Sequence, residues 1–125
     1  MQIRVYYEDT DTGGIVYHSN YINFCERARS EAFFSRGLTP DIESGGFVAK
    51  KLEASFKRPA KLGDMLEVKS VLVQMKAASF VLQQTIYKDD VKIFELSITL
   101  AYVNSEGRPQ KLGKLSKLVE NIFHA

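Results

Sequence analysis

The chain has 125 residues, 45% hydrophobic and 26% charged, which suits one globular domain spanning residues 1–125. Its 17 basic and 15 acidic residues are scattered and leave a net charge of +2, which excludes the concentrated basic field of a nucleic-acid binder. Cys25 is the single cysteine, so no intramolecular disulfide forms. No apolar run approaches the ~18 residues that span a bilayer, and no signal-peptide core opens the sequence, so a cytoplasmic protein is expected.

From Met1 to Tyr6, Ile3 and Val5 alternate with Gln2 and Arg4, which predicts a short half-buried strand. A polar loop, Glu8 to Gly14, follows. From Asn20 to Arg36, Tyr21, Phe24, Cys25, Ala28 and Ala32 recur at spacings of three and four, the signature of an amphipathic helix. Gly37 and Pro40 stop it. Cys25 falls on the apolar face, as a buried thiol would. Glu26 suits a structural ion pair with Arg29 or Arg58.

Beyond Gly45-Gly46, period-two alternation sets in, with Leu52, Ala54 and Phe56 forming the dry face of a strand. A second run covers Met65 to Met75. In a third, Phe80, Leu82 and Ile86 face one way, and the pair Asp89-Asp90 makes a tight turn after it. In the last, Phe94, Leu96, Ile98, Leu100 and Tyr102 share one face. Short turns between the last three runs require an antiparallel meander, because parallel neighbours need long crossovers. Leu115, Leu118, Val119 and Ile122 then form one stripe of a short terminal helix.

The apolar face of that sheet needs a cover, and only the Asn20 to Arg36 helix is long enough to supply it. An α+β protein follows, with an antiparallel sheet of about five strands wrapped around one long helix, the hotdog arrangement.

Tyr7 to His18 reads YEDTDTGGIVYH, which crowds acidic residues, two glycines and one of the chain's 2 histidines between strand and helix. Peptide N–H groups in a helix's first turn are unpaired and favour an anion or a developing oxyanion. With the helix starting near Tyr17 to Asn20, the N–H of His18 suits polarisation of a carbonyl, and Asp11 suits a nucleophile or a base for water. The same residues also suit a purely structural loop, with Asp9 and Asp11 forming Asx turns and the glycines supplying positive φ. His18 is equally a general acid, a substrate contact or a cap. A calcium loop fits poorly: Gly13 stands where a third ligand belongs and Asn20 where a bidentate glutamate belongs. No metal-ligand cluster accompanies either histidine.

Arg4 to Asp11, Gly13-Gly14-Ile15-Val16-Tyr17-His18, Tyr21 and Glu26-Arg27-Ala28-Arg29 resemble the YbgC branch of the 4-hydroxybenzoyl-CoA thioesterase family. The likeness is dense over the first thirty or so residues and continues at the turn Arg58-Pro59-Ala60-Lys61-Leu62-Gly63-Asp64. It implies a hotdog hydrolase that cleaves an acyl-CoA to free acid and CoA. Asp11 takes the position of the family's catalytic aspartate, Tyr7 and His18 flank it, and the His18 N–H takes that of the donor to the thioester oxygen. Thr12 departs from the usual Ala or Pro. Glu26 and Glu31 stand where other hotdog enzymes place a helical glutamate.

An acyl-CoA site needs cations for its phosphates, and Lys76 and Arg58 are the candidates. No cofactor is expected, because CoA is part of the substrate. Open strand edges point to a homodimer or homotetramer, and acyl carrier protein is a further partner that the resemblance suggests. Two other classes compete: a hotdog hydratase or dehydratase using His18 with Asp11, and a module that binds acyl-CoA or acyl-carrier protein without turnover.

Overall fold

A computed structural model describes residues 1–124. Strand β1 (Gln2–Arg4) is followed by a 3-10 turn at Tyr7–Asp9, a loop, and helix α1 (His18–Phe34). The chain continues through β2 (Gly46–Phe56), β3 (Met65–Met75), β4 (Ser79–Lys88) and β5 (Val91–Val103), and ends in helix α2 (Leu115–Ile122). Helix α1 starts and stops two residues earlier than the apolar spacing predicts. At its end Gly37 takes a left-handed φ of 73°, which lets the Leu38 N–H return 3.1 Å to the Phe33 carbonyl.

All five strands form one antiparallel sheet in the order β1, β3, β4, β5, β2. The expected meander is β3 to β5. Lys88 pairs with Val91 across Asp89 and Asp90, both at positive φ, the two-residue turn whose twist matches that of the strands.

The inner face of the sheet presents Phe80, Leu82, Ile86, Phe94, Leu96 and Ile98, all buried, to Phe24, Cys25 and Ala28 of α1. One polar residue interrupts this face. Gln84 is fully buried, and its Nε2 donates to the Cys25 carbonyl and to Ser70 Oγ, both at 2.9 Å, while its Oε1 accepts from Arg29 Nη1 at 2.9 Å. Every polar atom of its amide is therefore satisfied, which offsets the cost of burial.

The dry face expected on β2 is corrected by the structure. Phe56, Ala54 and Leu52 lie opposite Phe94, Leu96 and Ile98 of β5 and so share the core side of the sheet. Yet Leu52 is 42% exposed and Phe56 53%. β2 is an edge strand, and α1 lies over β3 and β5 and does not reach far enough to cover it. The pairing also shifts between Ala49 and Lys51, so the strand's first residues follow a different phase from its last.

Helix α2 buries Leu115 and Val119 and is tied down by the Phe123 carbonyl, which accepts from Leu72 N–H at 2.7 Å. Arg36 Nη2 donates to the Asn121 carbonyl at 3.0 Å. The terminal helix thus docks on its own chain.

Cys25 is completely buried, and that burial pushes its thiol up to about 12, with the Arg29 charge opposing in part. A disulfide reagent at pH 8 will label Cys25 only through unfolding, at a rate at least ~100-fold below that in denaturant. Prompt labelling of the native protein would contradict the burial.

Candidate active site

The loop between β1 and α1 is a small closed structure. Thr10 and Val16 form an isolated antiparallel bridge, and inside it the Asp11 N–H donates to the Ile15 carbonyl at 2.9 Å and the Gly14 N–H to the Asp11 carbonyl at 3.0 Å. Gly14 has φ +80°, which any side chain would strain. The Gly13 N–H donates to Asp11 Oδ1 at 2.8 Å, and a Cβ on Gly13 would stand 3.2 Å from that oxygen. Asp11 therefore does form the Asx turn, but only with Oδ1. Oδ2 makes no hydrogen bond among the described residues, and the side chain is exposed.

Asp9 has the opposite environment. It is 4% exposed, and its Oδ2 accepts from the Tyr6 N–H at 2.8 Å while Oδ1 accepts from Asn20 Nδ2 at 3.1 Å. Its carbonyl accepts from the Tyr17 N–H at 2.9 Å. One residue thus joins the end of β1, the loop and the first turn of α1.

A second segment supports the loop from the side. The Val16 N–H donates to the Ala60 carbonyl at 2.9 Å, Ile15 bridges Lys61, and the Ala60 N–H donates to the Tyr21 hydroxyl at 3.0 Å. Asp64 closes that turn by accepting from the Lys61 N–H at 2.8 Å and from Lys88 Nζ at 3.0 Å. Partial burial alone would raise the Asp64 pKa, but these two donors outweigh it and hold the carboxyl below its ordinary value.

Helix α1 begins at His18, and its N-cap, Tyr17, provides no side-chain cap. Among the described residues nothing accepts the N–H of His18. His18 also lines a cavity of about 430 Å3, together with Asp11, Tyr21, Phe56 and Arg58. The His18 ring lies 4.4 Å from the Tyr17 ring and meets the edge of Phe56 at 6.5 Å. Apolar walls come from Val16, Tyr21, Phe56 and Pro59, and cationic ones from Lys57 and Arg58. Burial raises the Tyr21 hydroxyl above its usual value; the Ala60 N–H opposes this, and the nearby charges of Asp64 and Asp11 add to it, so Tyr21 stays a neutral phenol.

Asp11, His18 and Arg58 therefore share one cavity, whereas Tyr7 and Lys76 lie elsewhere. Tyr7 is 82% exposed and does not line the cavity. Lys76 follows the Met75 end of β3, about 35 Å of strand away from the Asp64 turn that flanks the site. Glu26 forms no ion pair with Arg29 or Arg58: it accepts from Ser30 Oγ at 3.5 Å, and Arg29 turns inward to Gln84. Tyr21 and Phe56 were legible only as apolar positions on the helix and on β2. What makes them cavity walls is the contact of their rings at 5.9 Å, a long-range pairing no local pattern contains.

These contacts separate the two aspartates. Asp9→Ala will lose about 1–3 kcal/mol of unfolding free energy, since it leaves the Tyr6 N–H and the Asn20 amide without acceptors, while Asp11→Ala will change stability by less than about 0.5 kcal/mol. Urea titration of both variants checks this. Asp64 adds a pH dependence. Its depressed pKa stabilises the fold above the ordinary carboxylate range, and that contribution disappears as the pH falls through the folded value. Asp64→Asn will therefore lower Tm at pH 7 but match the wild type near pH 2.

Comparison with known proteins agrees with this geometry. The family model described as Thioesterase superfamily matches residues 13–95, which begin inside the Asp11 loop. An acyl-CoA thioesterase YbgC of Helicobacter pylori is 40% identical, with 98% of this chain and 100% of that protein covered. One from Haemophilus influenzae is 33% identical over 98% and 91%. Among solved structures, a probable thioesterase of Bartonella henselae superposes with a TM-score of 0.84 at 32% identity, covering 90% of this chain and 96% of that one. A hypothetical protein of Aquifex aeolicus gives a TM-score of 0.88 at 25% identity over 95% and 96%. The loop that carries Asp11, the helix it feeds and the sheet that wraps that helix thus belong to a member of the thioesterase superfamily, with the hotdog fold.

Proposed function

We propose that the chain hydrolyses acyl-CoA thioesters, with Asp11 and the His18 N–H acting on the two ends of the thioester carbonyl. The observation that carries this reading is their position in one cavity: a carboxylate with a free oxygen and an uncapped helix start. A carbonyl oxygen placed at the start of α1 receives the His18 N–H, and the helix dipole favours the negative charge that builds there. Asp11 then takes the proton of a water that adds to the carbonyl carbon. Collapse of the tetrahedral intermediate breaks the C–S bond, and the CoA thiolate leaves and is protonated. In the covalent variant Asp11 itself attacks, and water cleaves the resulting anhydride. No cofactor is required by either route.

The imidazole of His18 has a smaller part in this scheme, because the donor is its backbone. Tyr7, being exposed, contributes at most to the entrance. Arg58 and Lys57 lie at the cavity and suit the CoA phosphates. Lys76 is too distant to serve the cavity of its own chain and suits one supplied by another.

A homodimer follows from β2. Val48, Leu52 and Phe56 are exposed on a strand whose outer edge has no partner strand among the described residues, and a second copy covers both the edge and the apolar side chains. Pairing of dimers into a tetramer is compatible with this. A cytoplasmic location belongs to the same reading, and no helix among the described residues is long and apolar enough to cross a membrane. The YbgC relatives carry the name acyl-CoA thioesterase, which supports the choice of hydrolysis over hydration or passive binding. Acyl carrier protein thioesters are the second substrate class to assay.

Release of CoA thiol from acyl-CoAs of short, aromatic and long chains tests the reading. The wild type will turn over, Asp11→Asn and Asp11→Ala will each lose at least ~100-fold in kcat, and His18→Ala will lose ~10-fold or less. Full activity in both Asp11 variants would remove that residue from the mechanism. Single turnover in oxygen-18 water separates the routes: label in Asp11 marks the covalent one. Leu52→Glu will convert the dimer to monomer in sedimentation velocity, and a wild type that is active as a dilute monomer would refute the assembly.

A further inference from the structure

The Asp11 cavity has two walls that come from separate parts of the chain. Asp11, Ile15, Val16, His18 and Tyr21 supply one, and Phe56, Lys57, Arg58 and Pro59, at and beyond the end of β2, supply the other. The rings of Phe56 and Tyr21 meet across the gap, but packed rings tolerate small displacements, whereas a hydrogen bond weakens steeply away from its preferred angle. Two hydrogen bonds set the spacing, and Ala60 makes both. Its carbonyl accepts from the Val16 N–H at 2.9 Å, and its N–H donates to the Tyr21 hydroxyl at 3.0 Å. Ala60 is completely buried, which strengthens both bonds. Lys61, the next residue, stands directly opposite Ile15.

The turn that follows holds Ala60 and Lys61 in place. Its far side is anchored to the residue after β1: the Gly63 N–H donates to the Val5 carbonyl, and the Val5 N–H donates to the Asp64 carbonyl, both at 2.9 Å. Its near side depends on one side chain. The Lys61 N–H donates to Asp64 Oδ2 at 2.8 Å, its only described acceptor. The same oxygen pairs at 3.0 Å with Nζ of Lys88, the last residue of β4. Asp64 therefore carries two separable interactions. The bond from the Lys61 N–H needs only an acceptor oxygen, which an amide also offers, whereas the pair with Lys88 needs a charge.

We propose that Asp64 is a positioning residue for this cavity: through the Lys61 N–H it places Ala60, and through Ala60 it sets the spacing between the Arg58–Pro59 wall and the loop that carries Asp11. The charge pair with Lys88 serves stability and not placement. A thioester held between the two walls is misplaced relative to Asp11 when the Lys61 bond is lost, and a displacement of about 1 Å can cost ~100-fold in rate. The effect on turnover rests on the thioesterase reading, and the effect on the walls does not.

Three variants separate the bond from the charge. Asp64→Asn keeps the acceptor and loses the charge, Lys88→Met keeps the bond from Lys61 and loses the pair, and Asp64→Ala loses both. All three will lower Tm at pH 7, but only Asp64→Ala will lose about tenfold in kcat, the other two staying within about twofold of the wild type. Hydrogen exchange gives a readout that needs no substrate: relative to the amide of Leu82, buried in β4, the Val16 amide will exchange at least ~10-fold faster in Asp64→Ala and no faster in the other two. A kcat that falls in step with Tm across the three variants, or a Val16 amide that gains nothing on Leu82 in Asp64→Ala, would overturn the proposal. The Lys88 side chain is 37% exposed, so Lys88→Met decides even where Asp64→Ala does not fold: a tenfold loss of kcat, or Val16 exchange that outpaces Leu82, overturns it. A wild type that cleaves no thioester sinks the thioesterase reading alone, and Val16 exchange then decides the role of Asp64.

Discussion

The buried carboxylate of Asp9 is the contact on which the site depends. A carboxylate out of water must be matched by donors, and here they are the Tyr6 N–H and the Asn20 amide, while the Asp9 backbone carbonyl separately accepts from the Tyr17 N–H. Satisfying that one residue fixes where the loop leaves β1 and where it enters α1. Asp11 is two residues further along, so its position relative to the helix start is inherited and not separately determined. The catalytic candidate is then free to remain exposed, with one oxygen unused, because another residue supplies the rigidity.

The helix start shows the same division of labour. A serine, threonine or aspartate at the N-cap would satisfy the first N–H groups of α1 and strengthen the helix. Tyr17 does not, and its own N–H is used by Asp9. Local stability is forgone at the start of the helix, where the proposed oxyanion donor lies, and the loss is offset by contacts outside the helix, such as the bond from the Ala60 N–H to the Tyr21 hydroxyl.

How much of this was legible in the sequence depends on how local each feature is. The limits of β3 and the Asp89-Asp90 turn follow from alternation and turn chemistry over a few residues, and the structure matches them. The motif from Tyr7 to His18 is equally local, and of the two Asx turns expected in it Asp11 forms one, whereas the burial of Asp9 against Tyr6 and Asn20 was not legible. Burial on β2 was not legible, because alternation tells which face a residue is on and not whether anything covers that face. Gln84 sits in phase with Phe80, Leu82 and Ile86, yet nothing nearby announces that Arg29, Ser70 and a helix carbonyl converge on it from 14 to 59 residues away. Lys76 and Arg58 both read as phosphate ligands by type, and only the strand between them reveals that they are at different ends of the molecule.

Tyr21 stacks on Phe94 at 5.2 Å, meets Phe56 at 5.9 Å, bonds the Ala60 turn and lines the Asp11 cavity, all with one ring. A residue so shared between core and cavity has almost no room to vary, since any new side chain must repack the sheet before it can reshape the cavity. Phe56 meets Phe94 and Tyr21 as well, but its ring is partly exposed on an edge strand, so it is held less firmly by the core. Change in the shape of this cavity is therefore cheaper for folding at its rim than at its floor.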